Sequence, residues 1–202
     1  VKIKEVIDAL EKFAPLPLQE TFDNAGLQVG LTEAEVSGAL LCLDVTEDVV
    51  AEAVALGCNL IVSHHPLLFR PLRRLGDETM VERCVRAAVK NDICLYAAHT
   101  NMDKAVDGVN FRIAEKLGLV DVQMIAPQMV DGVKSGLAVM GYLPVEEDSI
   151  QFLQRVKQAL GCECLMHNEP LERPFQCVVV AGGAAADVLP DAIAQEADAF
   201  VT

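Results

Sequence analysis

Tryptophan is missing altogether, and aromatic residues make up only 4% of the 202 positions. A core built from such a chain has to be aliphatic, of Val, Leu, Ile and Ala. Also missing is any apolar run of the ~18 residues that a membrane span needs, so no membrane partner is expected. The opening VKIKEVIDALEKF carries charges throughout and does not read as a signal peptide. Basic residues are scarce: 16 Lys and Arg face 30 Asp and Glu, a net charge of −14. That field repels phosphate backbones, which argues against nucleic acid as a partner, and it attracts cations, divalent metals included. No Walker-type glycine loop and no serine or cysteine nucleophile motif is present. The seven cysteines are scattered and odd in number, and read as reduced thiols of a cytoplasmic protein. Only Cys162 and Cys164 lie close together, near His167, and no second pair completes a tetrahedral metal set.

What is present suffices for a folded protein. With 52% hydrophobic and 23% charged residues the chain falls outside the disordered class. Its length allows one large domain or two small ones. The hydrophobic pattern switches repeatedly between helical and extended. Residues 3–13 carry Ile3, Val6, Ile7, Leu10 and Phe13 on one helical stripe, stopped by Pro15 and Pro17. Strands are predicted at 26–30, 39–43, 59–63, 93–97, 135–142, 177–181 and 198–202. The run at 39–43 is apolar without alternation, as for a strand buried on both faces. Helices are predicted from the Thr46 cap to Leu56 with Gly57 as the stop, and over 78–90, 109–117, 148–160 and 187–196. Strands alternating with helices of this length imply an α/β fold with largely parallel sheets.

The chain also contains an echo. DVVAEAVALGCNLIVS (48–63) aligns without gaps on DVLPDAIAQEADAFVT (187–202), which sets Thr202 opposite Ser63. Duplication and the chance likeness of two Ala- and Val-rich strand–helix–strand segments both account for it.

Three of the four histidines, His64, His65 and His99, directly follow apolar strands. The C-terminal edge of an open α/β sheet is where ligands bind. Imidazole is the commonest metal-binding side chain and suits Zn, Fe, Mn, Co or Ni. Pro66 holds His65 extended, so that two adjacent rings at a strand end can enter one crevice at different angles. Asp103, in the segment after the next strand, adds a hard oxygen ligand able to complete or bridge such a site. His167 sits in a polar stretch, HNEPLERP, and is expected to face solvent.

Four stretches carry a family resemblance: ETFDNAGLQVG (20–30), LDVT (43–46), IVSHHPLLF (61–69), and YAAHTNMD (96–103) followed by GVN (108–110). They resemble the Nif three-like dinuclear-metal proteins, often labelled GTP cyclohydrolase I type two homologues. The resemblance runs to Thr202. It implies two intertwined three-layer α/β halves, expected here at residues 1–125, with both histidine motifs, and 126–202. It implies a toroidal homohexamer and two divalent metal ions held by His64, His65 and Asp103. The family's further ligands, a His and a bridging Glu, follow a Thr-Gly-Glu or Thr-Gly-Asp turn. Asp198–Thr202 looks like the strand leading into that turn, where the sequence given stops. The expectation is therefore that these 202 residues alone are metal-poor and inactive. Phe22 stands where a Trp is common in the family.

Two functions follow. The first is a metal-dependent hydrolase of an unidentified small molecule, with His99 moving a proton and Thr100 and Asn101 bracing the ligands. The second is a metal-binding toroidal scaffold or regulatory protein that acts through protein partners.

Overall fold

Apolar runs without alternation need cover on both faces, and two of the strands receive it. In the computed structural model, which describes residues 1–202, contacts divide the chain into two compact units, Val1–Met102 and Asp103–Thr202. The division falls earlier than the expected one after residue 125, because the segment around residues 109–124 packs with the later strands.

The first unit contains α1 (Ile3–Phe13), β1 (Gly26–Val29), β2 (Ala39–Cys42), α2 (Glu47–Leu56), β3 (Leu60–Ser63), α3 (Met80–Lys90) and β4 (Cys94–Ala97). Its sheet has the order β1-β4-β3-β2, with β2, β3 and β4 parallel and β1 antiparallel to β4. One face packs Ile61 and Leu95 against Val50 and Ala53 of α2 and Cys84 and Ala88 of α3. The other packs Leu60, Cys94 and Tyr96 against Ile3 and Ile7 of α1. The result is three layers with the central strands β3 and β4 inside.

Local signals set the ends of α2. The Thr46 side chain accepts from the Val49 N–H, Glu47 and Asp48 occupy the positive end of the helix dipole, and Gly57 takes the left-handed conformation at φ 67°. Gly30 has a different reason to be glycine: a Cβ there would lie 2.6 Å from the Cys94 Cα. One expectation fails here. Residues 39–43 are not buried on both faces. As the edge strand, β2 leaves Leu41 74% exposed, and Leu43 just after it is 59% exposed, since α1 covers only the centre of the sheet.

α4 (Thr100–Lys104) is a short helix that the sequence did not announce, and the break between units falls inside it. The second unit continues with α5 (Val109–Leu117), β5 (Val120–Met124), β6 (Gln128–Val130), β7 (Val133–Ser135), β8 (Val139–Glu147), α6 (Ser149–Leu160), β9 (Phe175–Val180), α7 (Leu189–Ala194) and β10 (Ala199–Val201). The sheet order is β10-β9-β8-β5, and β6 and β7 form a separate hairpin. α5 and α6 cover one face and α7 the other. The fold is α/β with mixed sheets. Two of three pairings are parallel in the first sheet, and only β9 with β10 in the second. The strand expected at 135–142 is the end of β7 and the start of a longer β8, separated by Gly136 and its neighbours. The helix expected at 187–196 is shorter, with a 3-10 turn at Ala186–Val188 before Pro190 in the first turn of α7.

Candidate metal centre

Parallel β2, β3 and β4 place their C-terminal ends side by side, and the hydrogen-bond ladder runs on past them. The His64 N–H donates to Cys42 O (3.1 Å), the His65 N–H to Leu43 O (2.9 Å) and the Ala98 N–H to Ser63 O (2.8 Å). The adjacent residues Asp44, His64, His65 and His99 therefore meet at one sheet edge. β1 brings a further residue there. It runs antiparallel to β4 with Gly26 opposite Ala97, so residues just before Gly26 lie beside those just after Ala97. Asp23 thus reaches His99.

The three rings surround one point. Their centroids are 5.0 Å (His64–His65), 5.3 Å (His64–His99) and 5.5 Å (His65–His99) apart. One nitrogen from each lies within 4.8 Å of the others, a grouping that can hold a metal ion. Exposure is graded, from a His65 side chain 46% open to a His99 side chain only 17% open.

Each Nδ1 is already engaged. That of His64 lies 2.9 Å from Ala98 O, that of His65 2.8 Å from Asp44 Oδ1, and that of His99 2.7 Å from Asp23 Oδ1. A carbonyl or an ionised carboxylate can only accept, so each Nδ1 carries the proton. The lone pair in every ring is then on Nε2, the nitrogen for a metal. Imidazoles oriented by such acceptors are the donor set that divalent transition metals take.

Asp23 is the best-built of these partners. Its side chain is fully buried. Burial alone would push its carboxyl up, but hydrogen bonds from His99, Thr100 and the Asn24 N–H outweigh burial and hold it below the usual carboxylate range. The Thr100 N–H donates to Asp23 Oδ2 at 3.1 Å, and the Thr100 hydroxyl donates to the same oxygen. Asn101 accepts from the His99 N–H at 3.0 Å and donates to Ala14 O at 2.7 Å.

The structure thus brings together His64, His65 and His99, with Thr100 and Asn101 beside the last. Asp103 lies on α4, nearly buried, in the second compact unit, where its carbonyl accepts from Asn110 Nδ2 at 3.0 Å. His167 is exposed, as expected. The sequence reading gave no role to Asp23 or Asp44. Asp44 had a signal, since it directly follows the apolar run ALLCL. Asp23 had none without the antiparallel register of β1.

All seven cysteines are free thiols, and no helix is long and apolar enough to cross a membrane. Among curated proteins, a GTP cyclohydrolase 1 type 2 homolog of Clostridium perfringens is 34% identical over 202 residues, covering all of this chain and 77% of its own length. Among solved structures, a Bacillus cereus protein related to NIF3 matches with a TM-score of 0.93 at 26% identity, over 100% of this chain and 82% of that one. Staphylococcus aureus protein SA1388 matches with a TM-score of 0.92 at 27% identity, over 100% and 79%. The family model described as Duf34/NIF3 (NGG1p interacting factor 3) matches residues 1–202, and the chain belongs to that family.

Proposed function

We propose that the chain is a metal-dependent hydrolase acting on a small molecule, with His64 and His65 as metal ligands. The common orientation of the three imidazoles carries this reading: every Nδ1 is tied to an acceptor, and one nitrogen from each ring lies within 4.8 Å of the others. Asp103 supplies the carboxylate ligand that the family resemblance assigns to it, and the full site takes two ions from among Zn, Fe, Mn, Co and Ni. When bound, a divalent cation acidifies water and neutralises charge developing on the scissile group.

The remaining work falls to the protein. His99 faces the other two rings and accepts a proton from the hydrolytic water. Asp23 fixes the His99 tautomer and balances its charge once the proton has arrived. Thr100 and Asn101 keep Asp23 and the His99 backbone in place. The cyclohydrolase name carried by the relatives supports a hydrolase. The resemblance supports a homohexamer, and the scattered thiols support a cytoplasmic one.

Metal content after loading and dialysis, followed by a turnover screen over nucleotides and phosphate esters, tests the reading. His64→Ala should lose metal and turnover together, whereas His99→Ala should keep metal and lose turnover. A His64→Ala variant as metal-rich as the parent protein would refute the site. Metal loss in His99→Ala would make His99 a ligand instead of a proton carrier. Tight metal without turnover would favour the scaffold or regulatory protein, a role that the words "interacting factor" in the family description also support.

A further inference from the structure

The chain has eight arginines. Four of them, Arg83, Arg112, Arg155 and Arg173, pair with Glu47, Glu115, Glu147 and Asp198. A fifth, Arg86, donates to Gly76 O. The remaining three, Arg70, Arg73 and Arg74, fall within five residues of one another, and all are exposed with no ion pair or hydrogen bond. In a protein with 30 carboxylate side chains this is an unusual concentration of unpaired positive charge. Three such charges within five residues of chain make a locally positive field that favours an anion.

The segment that carries them is the connection from β3 to α3, which begins with His64 and His65. It is secured at both ends. Near the histidines, Asn24 Nδ2 donates to Leu68 O (2.7 Å) and the Leu68 N–H to Gln28 Oε1 (3.0 Å). Near α3, Arg83 donates to Asp77 O (3.0 Å) and Glu78 O (3.2 Å), and Arg86 to Gly76 O. Only the stretch with the three free guanidiniums is untied. Between it and the histidines stands Phe69, edge-on to His99 with centroids 6.3 Å apart and 6.4 Å from the ring of Phe22. Both phenyl rings are open, Phe69 by 42% and Phe22 by 65%, in a chain with few aromatics.

We infer that Arg70, Arg73 and Arg74 form a phosphate-binding arm of the histidine site, and that its ligand is a small phosphorylated molecule with a planar ring. The ring packs against Phe22 and Phe69 and the phosphate is received by the arginines, whose forked donors match its oxygens. As a statement about substrate this rests on the hydrolase reading; as a binding site it stands by itself. A polynucleotide fits less well, because the −14 net charge repels an extended phosphate backbone.

Calorimetric titration of the metal-free protein with phenyl phosphate separates these statements, with inorganic phosphate, phenol and a thymidine oligonucleotide as comparisons. Phenyl phosphate should bind more tightly than phosphate or phenol. Replacing all three arginines by Ala should weaken it at least about tenfold. Phe22→Ala with Phe69→Ala should erase its advantage over inorganic phosphate. The titration is run without metal, so the arm is judged even if the metal reading fails. The residues are exposed, and circular dichroism verifies the fold of each variant. Unchanged affinity in the triple variant, no binding of phenyl phosphate by the parent protein, or tighter binding of the oligonucleotide per phosphate would each overturn the proposal.

Discussion

The segments β2–α2–β3 and β9–α7–β10 are built to one plan and finished differently. Each is a strand, a helix and a parallel strand, and both pairings join residue i to residue i+21, Ala39 to Leu60 and Val178 to Ala199. The ungapped echo between 48–63 and 187–202 therefore extends to strand register. In the first, β3 lies between two neighbours with Leu60 and Ile61 at 0% exposure, and α2 has a side-chain cap and a left-handed Gly stop. In the second, β10 is an edge strand, half-buried throughout, and α7 has six residues and no side-chain cap. The site occurs where the strand end is held from both sides. Fixed imidazoles need a backbone that does not move, and an interior strand supplies one.

The largest test of this contrast is packing. Ile61→Ala should cost about 2–5 kcal/mol in urea denaturation. At the equivalent position, Phe200→Ala removes a larger but half-buried side chain and should cost less. Equal losses would mean that the two segments are equally rigid.

Two carboxylates sharpen the comparison. Asp23 serves a histidine, whereas Asp198 serves the backbone: its Oδ2 accepts from the N–H groups of Gln176 (3.0 Å) and Cys177 (2.9 Å), and its Oδ1 from Arg173 (2.7 Å). Asp23→Ala should lower turnover about 10–100-fold at unchanged metal content, with little effect on the second unit. Asp198→Asn should leave metal affinity unchanged and destabilise the second unit.

Acid should act on both groups in the same direction. Burial would raise each carboxyl, and the hydrogen bonds win, so both folded pKa values lie below the ordinary one. Such a group contributes stability that is present above the unfolded pKa of about 3.9 and is lost as pH falls through the folded value. Unfolding curves from pH 6 downward should show this loss, and Asp198→Asn should flatten it for the second unit only.

Smaller effects follow. Thr46→Ala removes the cap of α2 and should cost about 1 kcal/mol, read from thermal unfolding. Burial pushes the Cys94 thiol up to about 11, so iodoacetamide at pH 8 should label exposed Cys164 and spare Cys94.

The sequence made much of this visible. Thr46, Gly57 and Gly118 mark helix ends by local chemistry, and the unalternating runs before His64 and His99 mark interior strands. The same kind of run misled at 39–43, because composition cannot tell an edge strand with an uncovered face from an interior one. The mixed character of the second sheet was hidden for a similar reason: strand direction depends on connections such as β8–α6–β9, which resemble parallel crossovers in sequence. At the site, three histidines after strands were legible. Their carboxylate partners were not, because Asp23 acts across a pairing 76 residues distant in sequence.

The grip of residues 22–28 on the rest of the site has a mechanical consequence. Asp23 holds His99, Asn24 and Gln28 hold Leu68, and Phe22 leans on Phe69. One short stretch running into β1 is thus the common fastening for side chains borne by two different strand ends. A single protease cut or a tug on that stretch would loosen histidines and aromatics together, so the centre should fail all at once and not ligand by ligand.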